Sequence, residues 1–182
     1  IILGQGALPG IKVDQGLQPL ENYPDESLTS GLDGLDERCK EYFNIGAKFT
    51  KWRAVIKIGQ DLPSKACIDK NMQALADYAK IVQNNNMVPM VEPEVLMEGE
   101  HSIKDCFDAT SASLNSLFER LDRNNVDIEG TILKPNMVTP GSLHSDQVDV
   151  NIVAEETLKC LRANVPDTLA GITFLSGGQT DL

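Results

Sequence analysis

Seven charged residues stand at the ends of short apolar runs in this sequence: Lys12 and Asp14, Lys51 and Arg53, Glu92 and Glu94, and Lys134. Within each pair the residues are two apart, so in an extended chain both side chains point to one face. Four cations and three carboxylates brought together would be acid–base equipment. Neighbouring ammonium groups disfavour one another's charge, and carboxylates beside them can carry protons to and from a reacting carbonyl. Lys134 has the most specific setting. It follows Thr131, Ile132 and Leu133, where the pattern calls for another apolar residue, and Pro135 comes immediately after it. Proline withholds a backbone donor and drives the preceding residue to extended geometry. Lys134 is therefore expected at the last position of a strand, at the end where parallel sheets and barrels bind ligands. A lysine kept there away from water can lose its proton and attack a carbonyl carbon to form a Schiff base. Taken alone, the stretch also describes a salt-bridged or snorkelling lysine at a strand exit. Ser176, Gly177 and Gly178 close the last apolar run, and such a turn leaves backbone N–H groups free for a phosphate.

The elements that must position these residues alternate between strand-like and helix-like patterns, the signature of a parallel α/β architecture. Leu8–Asp14, Phe49–Ile58, Met87–Glu94, Val126–Pro135 and Ala170–Gly178 read as strands. Between them lie four helical patterns. The first carries Leu32, Leu35, Cys39 and Phe43 and stops at Gly46; the second carries Ile68, Met72, Leu75, Ala79 and Val82 and stops at Asn84–Asn86. The third starts near Ser102, carries Phe107, Leu114, Leu117, Phe118 and Leu121, and stops at Asn124–Asn125. The fourth places Val153, Thr157, Leu158 and Leu161 inward and ends before Pro166. Residues 16–31, rich in Pro, Asn, Asp and Ser, read as a long loop.

Five parallel strands could form a flavodoxin-like sheet. However, charges at every strand end suit strands that converge on one mouth, as in a closed (β/α)₈ barrel, which needs roughly 250 residues. The expectation is a single domain, residues 1–182, that forms the interior part of such a barrel.

With 41% hydrophobic residues among 182, the chain can bury one sizeable core. Sixteen basic against 27 acidic residues give a net charge of -11. General attraction to nucleic acid or to an anionic membrane is therefore excluded as a binding mode. No apolar run approaches the ~20 residues of a membrane span, and no signal peptide is visible. Cys39, Cys67, Cys106 and Cys160 are widely spaced and read as free thiols of a reducing cytoplasm. His101 and His144, the only histidines, are assigned to structure or surface, which leaves no histidine-based zinc site.

Five segments together resemble the class I, Schiff-base fructose-1,6-bisphosphate aldolases. They are Gly10–Asp14 (GIKVD), Phe49–Arg53 (FTKWR), Val91–Glu94 (VEPE), Leu133–Gly141 (LKPNMVTPG) and Thr173–Gln179 (TFLSGGQ). The resemblance extends over essentially the whole chain and implies a TIM barrel of which these segments are strands three to seven. It implies that Lys134 becomes the imine and that Glu92 protonates and removes the carbinolamine hydroxyl. Lys51 would be the cation beside it and Glu94 a neighbour in the same proton network. Lys12, Asp14 and Arg53 would line the substrate, Arg53 near the distal phosphate, and Ser176 and Gly177 would cradle the phosphate next to the ketone. It further implies that no metal or other cofactor is needed and that the assembly is a homotetramer acting on a small sugar phosphate. The family's first-strand aspartate, its eighth strand with a phosphate-binding arginine and its C-terminal tyrosine have no counterpart among these residues. The alternatives kept open are a related Schiff-base sugar-phosphate lyase and a non-catalytic barrel fragment or scaffold.

Overall fold

The computed structural model describes residues 3–174. Five strands make one sheet: β1 (Gly10–Lys12), β4 (Phe49–Ile56), β5 (Val88–Val95), β6 (Ile132–Leu133) and β7 (Gly171–Ile172), in that spatial order and parallel at every pairing. The remaining strands, β2 (Leu17–Leu20) and β3 (Tyr23–Thr29), pair antiparallel as a separate hairpin. Helices α1 (Leu35–Asn44), α2 (Lys65–Asn84), α3 (Ile103–Arg123) and α4 (Val150–Asn164) occupy the crossovers between the sheet strands. This is the parallel α/β order that the alternating patterns predict.

Period-two alternation divides the sheet's two faces. Thr50, Trp52, Ala54 and Ile56 of β4 are buried toward the helices, as are Val91 and Val95 of β5 and Leu133 of β6. The parallel register then aligns the other parity: Lys12 faces Lys51, and Arg53 faces Glu92. Every charged strand-end residue of the described sheet thus falls on the face away from the helices. The core on the helix side is closed by Tyr78 of α2. Its ring lies 5.4 Å from that of Trp52, and its hydroxyl meets Thr50 Oγ1 at 2.7 Å and accepts the Met90 N–H at 3.2 Å. One helix residue thereby ties β4 to β5 just below the charged rows.

The helix ends follow their sequence signals. Ser64 and Ser102 cap α2 and α3 by accepting the backbone N–H groups of Cys67 and Asp105, and Asp105 returns a bond to Ser102 N in a complete capping box. Asn86 and Asn125, just past α2 and α3, take left-handed backbone conformations with φ of 59° and 52°.

Three expectations need correction. Residues 17–29 form the β2–β3 hairpin rather than a loop; Asn22 supplies the left-handed turn residue, with φ 67°. Its strands were hidden because their partner is local and their anchors distant. Buried Glu26 accepts bonds from the backbone N–H and the hydroxyl of Ser64, Asn71 donates to Ser27 O at 2.8 Å, and Thr29 Oγ1 donates to Arg53 O at 2.7 Å. Second, the Val126–Pro135 strand shrinks to Ile132–Leu133, because Asp127 caps a 3₁₀ turn at Ile128–Gly130 by accepting Glu129 N–H. Third, Leu158 is 48% exposed; the inward face of α4 is Val153, Thr157, Cys160 and Leu161, spaced four, three and one apart.

All four cysteines are buried and free. Burial pushes the Cys39 thiol up to about 11 and that of Cys67 to about 12, and raises Cys106 and Cys160 as well. At pH 8 the reactive thiolate of Cys39 is then on the order of one part in a thousand. Iodoacetamide at pH 8 is expected to leave the folded protein unlabelled at these four sites and to label all four in denaturant. Rapid labelling of any of them in the folded state, read by peptide mass, would contradict that burial.

Candidate active site

The site is built around one carboxylate. Glu92 lies mid-strand in β5 with its side chain only 2% exposed, and a charge so buried needs ionic partners. It has two. Lys134 Nζ donates to Oε1 at 2.8 Å, and Lys51 Nζ donates to Oε2. The lysines come from the strands on either side, β6 and β4, and both keep 23% of their side-chain surface open. The carboxylate is thus enclosed while both amines remain reachable. Lys134 sits one residue beyond β6, yet its backbone N–H still bonds Val91 O at 2.8 Å, so the amine is held by the sheet and not by a free loop.

A second row lies one step further along the strands. Arg53 Nε pairs with Glu94, and this partner holds the guanidinium more firmly protonated than usual. Asp14 accepts the Arg53 backbone N–H at 3.3 Å and takes Lys12 Nζ at 2.5 Å. Lys12 is the outermost group, with 54% of its side chain exposed, while Asp14 shows only 4%. The structure therefore brings Lys12, Asp14, Lys51, Arg53, Glu92, Glu94 and Lys134 onto one face in two linked rows. Ser176 and Gly177, the expected phosphate cradle, lie outside the described residues.

The segments leaving β5 and β6 are fastened to each other above this site. Gly141 N donates to His101 O, Ser142 N to Met97 O and Leu143 N to Gly99 O, at 2.8 to 2.9 Å. A Cβ at Gly141 would stand 2.2 Å from Gly99 O, so this close approach requires glycine there. His101 is a wall residue of this region: burial lowers its basicity, and it lines a cleft of about 750 Å³ with Ile58, Leu62, Pro63 and Ile68. That cleft does not include Lys134 or Glu92. Sequence reasoning missed Asn136, which is 5% exposed and bonded to the end of β5. Its place two residues after Lys134, across a proline, was the available signal.

Chemically, the arrangement offers an amine on a rigid strand end with a shielded carboxylate in contact and a second cation on the other carboxylate oxygen. Such a carboxylate can take a proton from one group and return it to another without solvent. Among the described residues there is no cluster of three or more His, Cys, Asp or Glu able to hold a metal ion, and no helix is long and apolar enough to cross a membrane.

Several known proteins are similar to this chain in sequence and fold. The family model "Fructose-bisphosphate aldolase class-I" matches residues 1–182. A probable fructose-bisphosphate aldolase class 1 of Xanthomonas campestris pv. campestris is 55% identical over 176 residues, covering 97% of this chain and 53% of that protein. The cytosolic fructose-bisphosphate aldolase 5 of Arabidopsis thaliana is 49% identical over 181 residues, covering 100% of this chain and 50% of that protein. Among solved structures, the Plasmodium falciparum fructose-bisphosphate aldolase, crystallised with TRAP and a small-molecule inhibitor, superposes with a TM-score of 0.96. It is 44% identical and matches 98% of this chain and 52% of that chain. The chain spans about half the length of the curated relatives it matches.

Proposed function

Because the chain belongs to the class-I fructose-bisphosphate aldolase family, we propose that it serves the reversible cleavage of fructose 1,6-bisphosphate to dihydroxyacetone phosphate and glyceraldehyde 3-phosphate. The observation that carries the reading is the Lys51–Glu92–Lys134 cluster, in which one buried carboxylate bridges two strand-end amines. Lys134 attacks the ketone carbon of the sugar. Glu92, already in contact with its Nζ, takes up the proton released and returns one to the carbinolamine hydroxyl, which leaves as water and yields the imine. The protonated imine accepts the electron pair of the breaking carbon–carbon bond, so an enamine forms in place of a bare carbanion. Lys51, on the other oxygen of Glu92, keeps positive charge beside the reacting hydroxyl. Lys12 and Arg53 stand in the outer row, where Asp14 and Glu94 orient them toward an anionic substrate. Ser176 and Gly177, which lie outside the described residues, complete this proposal as the phosphate cradle. A cytoplasmic homotetramer is the assembly proposed, in keeping with relatives named cytosolic.

The test is borohydride reduction of the full-length protein in the presence of fructose 1,6-bisphosphate, followed by peptide mass mapping. A stable adduct on Lys134 is the expected result. An adduct on another lysine would overturn the assignment of the nucleophile, and no adduct at all would overturn the imine mechanism.

A further inference from the structure

We infer that Asn136 is a positioning residue for the Lys134–Glu92 contact, acting through its side chain where two prolines interrupt the sheet. The catalytic consequence rests on the aldolase reading above; the tether itself is a feature of the fold. On β5, the backbone groups that face β6 belong to the odd-numbered residues. Val91 O accepts from Lys134 N–H at 2.8 Å, and the Val95 N–H points the same way. Residue 93 lies between them with the same parity, and it is proline, so β5 has no donor for the next carbonyl along, that of Lys134. On the other edge of β6, where Leu133 O accepts the Thr173 N–H, Pro135 has the parity that faces β7 and likewise has no N–H to give. The ladder therefore stops at the residue that carries the amine, and a strand end without ladder bonds is free to fray.

Asn136 restores the connection beyond the break. Its Oδ1 accepts the Val95 N–H at 3.1 Å, and its Nδ2 donates to Thr110 Oγ1 of α3 at 3.1 Å and to Met137 O at 3.0 Å. A carboxamide is suited to this place because it carries acceptor and donors on one short, uncharged stem. The tether runs from a residue two past Lys134 to one that is three past Glu92 and one past Glu94. It holds the amine and both carboxylates in one frame without touching the reacting groups.

Thr157 supplies an internal comparison. It is 5% exposed, like Asn136, and its hydroxyl accepts the Val138 N–H at 2.9 Å. It fastens the same segment to α4, further along, with no bond to β5. The experiment compares Asn136→Ala and Thr157→Val in the full-length protein. It measures melting temperature, hydrogen exchange at the Val95 amide, and kcat and KM for fructose 1,6-bisphosphate cleavage. Both variants are expected to lose melting temperature. Only Asn136→Ala is expected to speed Val95 exchange and to lower kcat, by about 100-fold with KM little changed, as misplacement of a reacting group by about 1 Å would do. Should Asn136→Ala not fold, Asn136→Asp, which keeps the Val95 acceptor and forfeits the donors, is expected to show an intermediate kcat at unchanged KM. Wild-type kcat in the Asn136 variants, or an equal kcat loss in Thr157→Val, would reduce Asn136 to a structural role. A wild-type protein that neither cleaves the sugar nor traps an imine on Lys134 would instead bring down the aldolase reading, and with it the catalytic part of this inference, even if Val95 exchange responds as stated.

Discussion

Lys134→Met is expected to abolish borohydride trapping by fructose 1,6-bisphosphate and to lower cleavage by about 10⁴-fold or more, the scale seen when a covalent nucleophile is removed. No nearby residue can take over. Lys51 is the closest alternative amine through their shared partner, but it lies on β4, on the opposite oxygen of Glu92, and its attack would come from another direction. The variant should fold, since Lys134 is 23% open to solvent and methionine keeps the aliphatic stem that packs at the end of β6. Sugar-phosphate binding should survive, because the outer row of Lys12 and Arg53 is untouched. The measurements are single-turnover trapping and equilibrium binding of the bisphosphate. A Lys134→Met protein that still cleaves the sugar within tenfold of wild type would place the nucleophile elsewhere.

Glu92→Gln is expected to lower kcat by about 10² to 10⁴-fold, the range for a positioned general acid–base group, with a much smaller change in KM. Glutamine keeps the size and one acceptor oxygen, so the strand should still pack, but it can neither take nor return a proton. It also leaves two amines around a buried neutral group. Breaking a buried ion pair by removing one partner costs about 3 to 5 kcal/mol, and the lower end applies here because Lys51 and Lys134 each retain a route to water. The melting temperature should therefore fall along with kcat. Glu94→Gln provides the contrast. Glu94 touches Arg53 and not Lys134, so its loss should act mainly on KM through a less well-oriented guanidinium. If the two variants gave the same split between kcat and KM, the distinct role of Glu92 would not stand.

Most of this site is legible in the sequence because strand chemistry is periodic. Side chains two apart share a face, and a proline after a lysine marks a strand's end, so Lys51 with Arg53, Glu92 with Glu94 and the placement of Lys134 all followed from spacing. The helix boundaries were equally local, since Ser102, Asn86 and Asn125 act within their own turns. What escaped were features whose partners lie far along the chain. The β2–β3 hairpin depends on anchors in α2 and β4 some forty and twenty-four residues away, such as Asn71 on Ser27 and Thr29 on Arg53, and nothing within its own run of polar residues and prolines announces them. Leu158 was misplaced for a related reason: a helix of mixed composition has two plausible apolar stripes, and packing against α3 selects the one through Cys160.

By itself, then, the sequence determined which residues of the charged strand ends share a face and a parity, and where the helices stop. These are consequences of backbone geometry within a few residues. Only the tertiary structure decided that Glu92 would be the carboxylate shared by two lysines, because that depends on the β4–β5 register and on how far β6 runs beside β5. It also decided that Asn136 would bridge the gap that Pro93 leaves between β5 and β6. Register between strands separated by a helix is set by core packing across the whole sheet, and no local pattern in the chain encodes it.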